Sequence, residues 1–63
     1  MEKLTALVLE NNEGKRITIL CRSWYATKDG ITIRSLDNSY ISIDFKEHQC
    51  SLWGFQDVSV SSL

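Results

Sequence analysis

The fold is decided by residues 31–45, ITIRSLDNSYISIDF, in which isoleucines alternate with polar residues on both sides of a polar segment. Alternation with a period of two is typical of a strand with one buried face. Two such runs separated by turn-forming residues predict an antiparallel hairpin. This hairpin is the unit from which the rest of the sheet is assigned.

The length of its loop decides which residues face each other. A two-residue turn at 37–38 would pair Ile33 with Ser42 and split the isoleucines between the two faces. A three-residue loop at 37–39 pairs Ile33 with Ile43 and Ile31 with Phe45, on one side of the sheet. We expect the longer loop, because burial of each large apolar side chain contributes roughly 1.5–3 kcal/mol.

Alternation of the same kind predicts two hairpins upstream. The first joins 4–10 to 15–22 through a four-residue loop, with positive φ at Gly14 and Glu10 opposite Lys15. The second turns at 28–30, the length of a type I turn closed by a bulge. It pairs Tyr25 with Ile33 and leaves Trp24 across from Arg34 on the opposite face.

Downstream, a last hairpin through 46–49 is expected to direct Cys50 and Leu52 inward and Trp53 outward. Gly54 interrupts the alternation and indicates a bulge or bend. The closing segment, 55–60, is expected to be a short edge strand. The predicted inner face consists of Val8, Ile17, Ile19, Cys21, Tyr25, Ile31, Ile33, Ile41, Ile43, Phe45 and Leu52.

No helix is predicted that would cover this inner face, so the sheet must curl onto itself or pack on a second sheet, including one from another subunit. We therefore expect an all-β fold without a substantial helix. Its architecture would be a small antiparallel five-stranded meander curled into an SH3-like or Sm-like barrel. This is a comparison of architecture, and fold alone does not determine function.

The chain has 63 residues and a net charge of −1, with acidic and basic residues mixed along its length. We expect one domain over 1–63, with 59–63 a short polar tail. The charge lacks the basic excess of duplex-DNA binders. Since no signal peptide or membrane-spanning run is apparent, we expect no membrane association and a cytoplasmic location, where the two cysteines remain reduced.

The predicted outer face is unusually rich in aromatic residues and leucine for a solvated surface. Exposed apolar patches on small proteins commonly mark contact surfaces, and Trp, Tyr and Arg are enriched at binding hot spots. Coverage of this face by the chain itself and self-association are the two alternatives. The residues predicted to bind a partner are Arg22, Trp24, Arg34, Leu36, Tyr40 and Trp53.

No motif for catalysis, metal binding or cofactor binding is recognisable, so we expect no enzyme activity, no metal and no cofactor. His48 and Cys50, with Cys21, fall short of the four ligands of a structural zinc site. The acidic residues are scattered over turns and outer positions, and the three glycines are too far apart for a phosphate-binding loop.

Two functions fit these features. The first is a non-enzymatic protein that binds another protein as a regulator or inhibitor, of a size common among products of phages and mobile elements. The second is binding of single-stranded RNA or DNA, with aromatic side chains stacking on bases. The net charge disfavours the second, because phosphate neutralisation dominates such affinity. We also expect a homo-oligomer, formed through an edge strand at 58–60.

Overall fold

The computed structural model describes the backbone of residues 2–60 and the side chains of residues 3–59. The fold is all-β, as predicted, and consists of two small antiparallel sheets. Sheet A has the strand order β2-β1-β6, and sheet B has the order β3-β4-β5. The elements are β1 (Glu2–Asn11), β2 (Arg16–Cys21), β3 (Ser23–Ala26), β4 (Gly30–Arg34), β5 (Tyr40–Asp44), the helical turn α1 (Phe45–His48) and β6 (Cys50–Val60).

A single residue, Arg22, connects β2 with β3 and carries the chain from one sheet to the other. Its backbone N–H donates to the carbonyl of Arg34 at 2.9 Å, so this bend remains tied to β4. Bends of this kind form the corners between packed sheets. Counted as one bent strand, β2 and β3 give the five strands expected. Closure into a barrel is not detected over residues 2–60, and the SH3-like or Sm-like barrel stays a prediction.

The hairpin predicted through 46–49 is wrong, because β6 pairs with β1 and not with β5. The reason lies in the short helical turn between them. The Asp44 side chain caps α1 by accepting the backbone N–H of Glu47 at 2.9 Å, and Gln49 ends it in the left-handed region with φ 54°. The turn redirects the chain towards sheet A.

The first predicted register is wrong by one residue, since Glu10 lies opposite Arg16 instead of Lys15. The Asn11 side chain accepts the backbone N–H groups of Glu13 and Lys15, each at 2.9 Å. This local bonding makes Asn11 the last paired residue and shortens the loop to three residues. The expectation of positive φ at Gly14 is confirmed, with φ 84°.

The second predicted register is also wrong by one residue. Thr27 donates its backbone N–H to Gly30 at 2.8 Å, so Gly30 belongs to β4 and the loop has only two residues. The Thr27 hydroxyl accepts the N–H of Asp29 at 3.2 Å and stabilises this tight turn. Only glycine fits at position 30, because a Cβ there would collide with the carbonyl oxygen of Ile43.

In the third hairpin the predicted loop length and sidedness are confirmed, and the register differs by two residues. The loop is 36–38, with Asn38 at φ 70°, so Ile33 pairs with Ile41 and Ile31 with Ile43. A shift of two residues leaves every side chain on its expected face. The isoleucines of β4 and β5 therefore point to the same side.

The core lies between the sheets, where Leu7 and Cys21 of sheet A pack against Ile31 and Ile33 of sheet B. Ile33 is 1 % exposed. Six partly buried hydrophobic residues surround this cluster: Ile19, Trp24, Ala26, Ile43, Phe45 and Leu52. The core thus includes seven members of the predicted inner face.

The one-residue shifts reverse several predicted burials. Leu7 and Leu9, which alternate with the predicted inner residue Val8 and so belong to the predicted outer face, are buried, whereas Tyr25, expected inside, is exposed. Val8 is half-buried on the face opposite Leu7 and Leu9, because successive side chains of a strand alternate. Ile17 and Ile41 are exposed although they lie on the inner side, because β2 and β5 are edge strands.

The bulge predicted near Gly54 is confirmed, since the pairing of β1 with β6 shifts between Val8 and Leu9. β6 lies at a sheet edge, as expected of the closing segment, but it is one eleven-residue strand over Cys50–Val60 and not a short strand over 55–60. Ser59, at the start of the predicted polar tail, belongs to β6, and residues 61–63 lie outside the described residues. Among the described residues, no helix is both long and apolar enough to cross a bilayer.

Candidate functional site

Trp24 lies on the inner side of sheet B, so its predicted place on the outer face beside Arg34 is wrong. Its register partner is Ile33, and its side chain packs against the core. Its ring lies 4.9 Å from the Phe55 ring, with an interplanar angle of 51°. Trp24 therefore connects the two sheets and does not lie across from Arg34 on the outer face.

Trp53 is exposed as predicted, but it belongs to sheet A. It occupies the bulge of β6, beneath the guanidinium of Arg16, whose Cζ lies 4.1 Å from the ring centroid. Arg16 Nε also donates to Glu10 Oε2 at 2.9 Å. The aromatic residue and the cation on this face are thus engaged with each other and with an acidic neighbour.

The outer face of sheet B carries two tyrosines around a central arginine. Arg34 of β4 lies directly opposite Tyr40 of β5. Tyr25 of β3 lies opposite Thr32, two residues from Arg34 and therefore on the same face. Tyr25 is 71 % exposed and Tyr40 69 %. Diagonal neighbours in a sheet are about 7–8 Å apart, within reach of aromatic side chains.

Arg22 and Leu36 lie at one end of this face. Arg22 Nε donates to the carbonyl of Leu36 at 2.9 Å, and Leu36 is 45 % exposed in the loop between β4 and β5. The structure thus brings together four of the six predicted site residues, Arg22, Arg34, Leu36 and Tyr40. We name the surface formed by these four and Tyr25 the tyrosine–arginine face.

The polar groups at the centre of the tyrosine–arginine face are not used inside the molecule. Within residues 3–59, the side chains of Tyr25, Arg34 and Tyr40 form no hydrogen bond, ion pair or ring contact. An exposed guanidinium offers five donors and a flat surface for stacking, and a phenol offers one donor and an aromatic face. These groups are available to a partner.

Tyr25 is the member of the face that sequence reasoning missed. The three-residue turn assigned to 28–30 inverted the sidedness of β3 and exchanged Tyr25 with Trp24. The available signal was Thr27, whose hydroxyl stabilises a two-residue loop, together with Gly30 as a strand residue that approaches β5 closely. Both are local features that the hydrophobic pattern does not encode.

The loop that carries Leu36 is held by a hydrogen-bond network centred on Asp37. Its Oδ1 accepts from the hydroxyls of Ser35 and Ser39, each at 2.6 Å, and from the backbone N–H of Ser39 at 3.0 Å. The hydroxyl of Ser35, then that of Ser39, lowers the pKa of Asp37 from 3.8 to about 2. The carboxylate is therefore charged at neutral pH and fixes the loop conformation.

The remaining chemistry-bearing residues are dispersed. Cys21 is buried in the core, and this burial raises the pKa of its thiol. His48 and Cys50 line an apolar groove of about 340 Å³ at the edge of the core, together with Leu9 and Ile43. Within the part of the chain that the structure describes, no three His, Cys, Asp or Glu residues are grouped so as to hold a metal ion.

A shallow groove of about 300 Å³ runs beside Tyr25 on the outer side of sheet B, with Thr32 and Ser42 in its lining. The hydroxyls of these two residues are 3.3 Å apart. The tyrosine–arginine face therefore continues into a shallow groove with a largely apolar lining. The hydroxyl groups of Thr32 and Ser42 lie in this groove next to Tyr25.

Comparisons of the chain with protein-family models, with curated proteins and with solved structures give no match. The function is therefore argued from the geometry and chemistry of the chain's own residues.

Proposed function

We propose that this protein is a non-enzymatic binding module that contacts another protein through the tyrosine–arginine face, as a regulator or inhibitor. The observation that carries the proposal is the group of exposed Tyr25, Arg34 and Tyr40 side chains without an intramolecular partner among residues 3–59. Tyr and Arg are two of the three residue types most enriched at protein-binding hot spots. We also propose a cytoplasmic location, which two free cysteines support.

The charges near the face favour a protein over a nucleic acid. Arg34 and Arg22 lie near one end, but Asp44 lies on the same outer side of β5 and Asp37 in the adjoining loop. The overall charge is −1. A phosphate backbone crossing the sheet would meet these carboxylates, whereas a protein surface can supply donors for them. Single-stranded nucleic acid is thus the second choice.

The proposal extends to architecture. Two three-stranded sheets pack around one core and are joined by a bend at Arg22 and by the helical turn α1, an arrangement that supports a small curled barrel. We propose an SH3-like or Sm-like barrel on this basis. Such a scaffold presents an outer sheet face while its core residues hold that face rigid.

The test is capture of proteins from the native host by the tagged full chain. Wild type is compared with the single substitutions Tyr25→Ser, Arg34→Ala and Tyr40→Ser. Hot-spot residues contribute about 2 kcal/mol or more, so each substitution is expected to reduce retention of a specific protein about thirtyfold. The affinity is then measured by calorimetry with the purified partner.

Arg16→Ala on sheet A is the matched control, because it also removes one arginine from an aromatic neighbour on a sheet surface. It is expected to leave capture unchanged. Equal retention by wild type and all three face variants would refute the proposal. Binding of labelled single-stranded oligonucleotides, measured by anisotropy at two salt concentrations and lost in Arg34→Ala, would favour the nucleic-acid function instead.

A further inference from the structure

β5 is a sheet edge whose outward backbone groups can be assigned. Ser35 N–H donates to Ser39 at 2.8 Å and Phe45 N–H donates to Asp29 at 3.0 Å. In an antiparallel ladder the hydrogen-bonded pairs alternate, so the odd-numbered residues of β5 bond to β4. The N–H and C=O groups of Tyr40 and Ser42 consequently point away from β4, towards the open edge.

Apart from Asp44 at its end, this edge lacks the charges, prolines and bulges that usually protect edge strands. Its sequence, YISID, contains no lysine, arginine or proline, and its pairing with β4 shows no register shift. Four of its five residues are exposed, and the fifth is half-buried. By contrast, the edge strand β6 is bulged at Trp53. Unprotected straight edges are templates for pairing with another strand.

We infer that β5 pairs with β5 of a second copy of this chain, antiparallel and across a two-fold axis at Ser42. This is the register that pairs all five residues of the strand. Ser42 then faces its own copy, and Tyr40 faces Asp44 of the other chain, so the phenol can donate to the carboxylate. On the inner side, Ile41 packs against Ile43 of the other copy and loses its exposure.

The other long straight edge, β2, is less suited to self-pairing. The corresponding register would place Arg16 opposite Leu20 and would disturb the contact of Arg16 with Trp53 and Glu10. The β5 register brings no like charges together and leaves internal contacts intact. The proposed edge of self-association is therefore 40–44, instead of the 58–60 expected from the sequence. In this dimer the two tyrosine–arginine faces lie on one side of a six-stranded sheet.

The experiment measures the mass of the full chain by sedimentation velocity over a range of concentrations. Wild type is expected to form a dimer that dissociates on dilution. Ser42→Lys and Ser42→Glu each place like charges face to face, and each is expected to weaken the dimer at least about tenfold. An equimolar mixture of the two variants is expected to restore a dimer, because opposite charges then meet at the two-fold axis.

Thr18→Lys is the matched control on the β2 edge and is expected to dimerise like wild type. Arg34→Ala is likewise expected to retain the dimer, so this inference and the proposed function fail separately. A wild type that remains a monomer at all concentrations overturns the inference. So does a dimer that Thr18→Lys dissociates and Ser42→Lys does not, or a mixture of the two charged variants that remains monomeric while both are folded by circular dichroism.

Discussion

The outer faces of the two sheets contain similar residues, which differ in whether they contact other side chains of the protein. On sheet A, Arg16 lies over Trp53 at 4.1 Å and donates to Glu10 at 2.9 Å. On sheet B, Arg34 lies between Tyr25 and Tyr40, and within residues 3–59 none of the three side chains has such a partner. The first arrangement contributes to the protein's own stability, whereas the second leaves its donors and aromatic surfaces unused within residues 3–59, which supports the proposed binding role.

The difference teaches that an arginine next to aromatic residues is not in itself a binding signature. Such a contact contributes about 0.5–1 kcal/mol when it forms on an exposed surface of one molecule. The same groups contribute more when a partner excludes water from them. Whether each group already has a partner within the fold is therefore the reason why we propose the face of sheet B, and not that of sheet A, for binding.

The largest expected effect separates the two tryptophans. Trp24→Ala removes a side chain that packs on the core and contacts Phe55, so it is expected to lower the free energy of unfolding by about 2–4 kcal/mol. Trp53→Ala, at the exposed bulge of sheet A, is expected to cost about 1 kcal/mol or less. Urea denaturation followed by circular dichroism measures both. Equal losses of stability would contradict the assignment of Trp24 to the core.

The hydrophobic alternation was sufficient to predict the all-β fold and the common side of Ile31, Ile33, Ile41 and Ile43. It could not predict the site fully, because the face on which each side chain of β3 lies depends on whether the turn before β4 has two or three residues. The Thr27 hydroxyl favours the two-residue turn through a hydrogen bond worth about 1 kcal/mol. This free energy is small beside that of burying apolar side chains, which is what the alternation reflects. Arg34 and Tyr40 were predicted correctly on the outer face because a two-residue shift preserves sidedness.

The partner of β6 was unpredictable for a related reason. Four residues at 46–49 are compatible with a hairpin loop by length alone. The capping bond from Glu47 N–H to Asp44 makes the segment helical instead and redirects the chain. A helix cap is a local interaction. By contrast, whether β6 pairs with β1 or with β5 depends on the packing of the whole core.

A smaller effect sharpens the description of sheet A. A double-mutant cycle with Arg16→Ala and Trp53→Ala is expected to give a coupling of about 0.5–1 kcal/mol in the free energy of unfolding, because the two side chains are in contact. A cycle with Arg34→Ala and Tyr40→Ala is expected to give a smaller coupling. A larger coupling on sheet B would mean that its arginine and tyrosine also stabilise the fold, and the contrast between the faces would be lost.

The smallest effect concerns the loop at the end of the tyrosine–arginine face. Hydrogen bonds from Ser35 and Ser39 lower the pKa of Asp37 to about 2 from 3.8, so the folded state favours the charged carboxylate. Since the folded pKa is below the unfolded one, this stabilisation is fully present above about pH 4 and is lost as the pH falls towards 2. Asp37→Asn is therefore expected to unfold at a slightly lower urea concentration than wild type at pH 7. The difference between the two midpoints should shrink steadily between pH 4 and pH 2, and a difference that stays constant over this range would contradict the role assigned to the carboxylate.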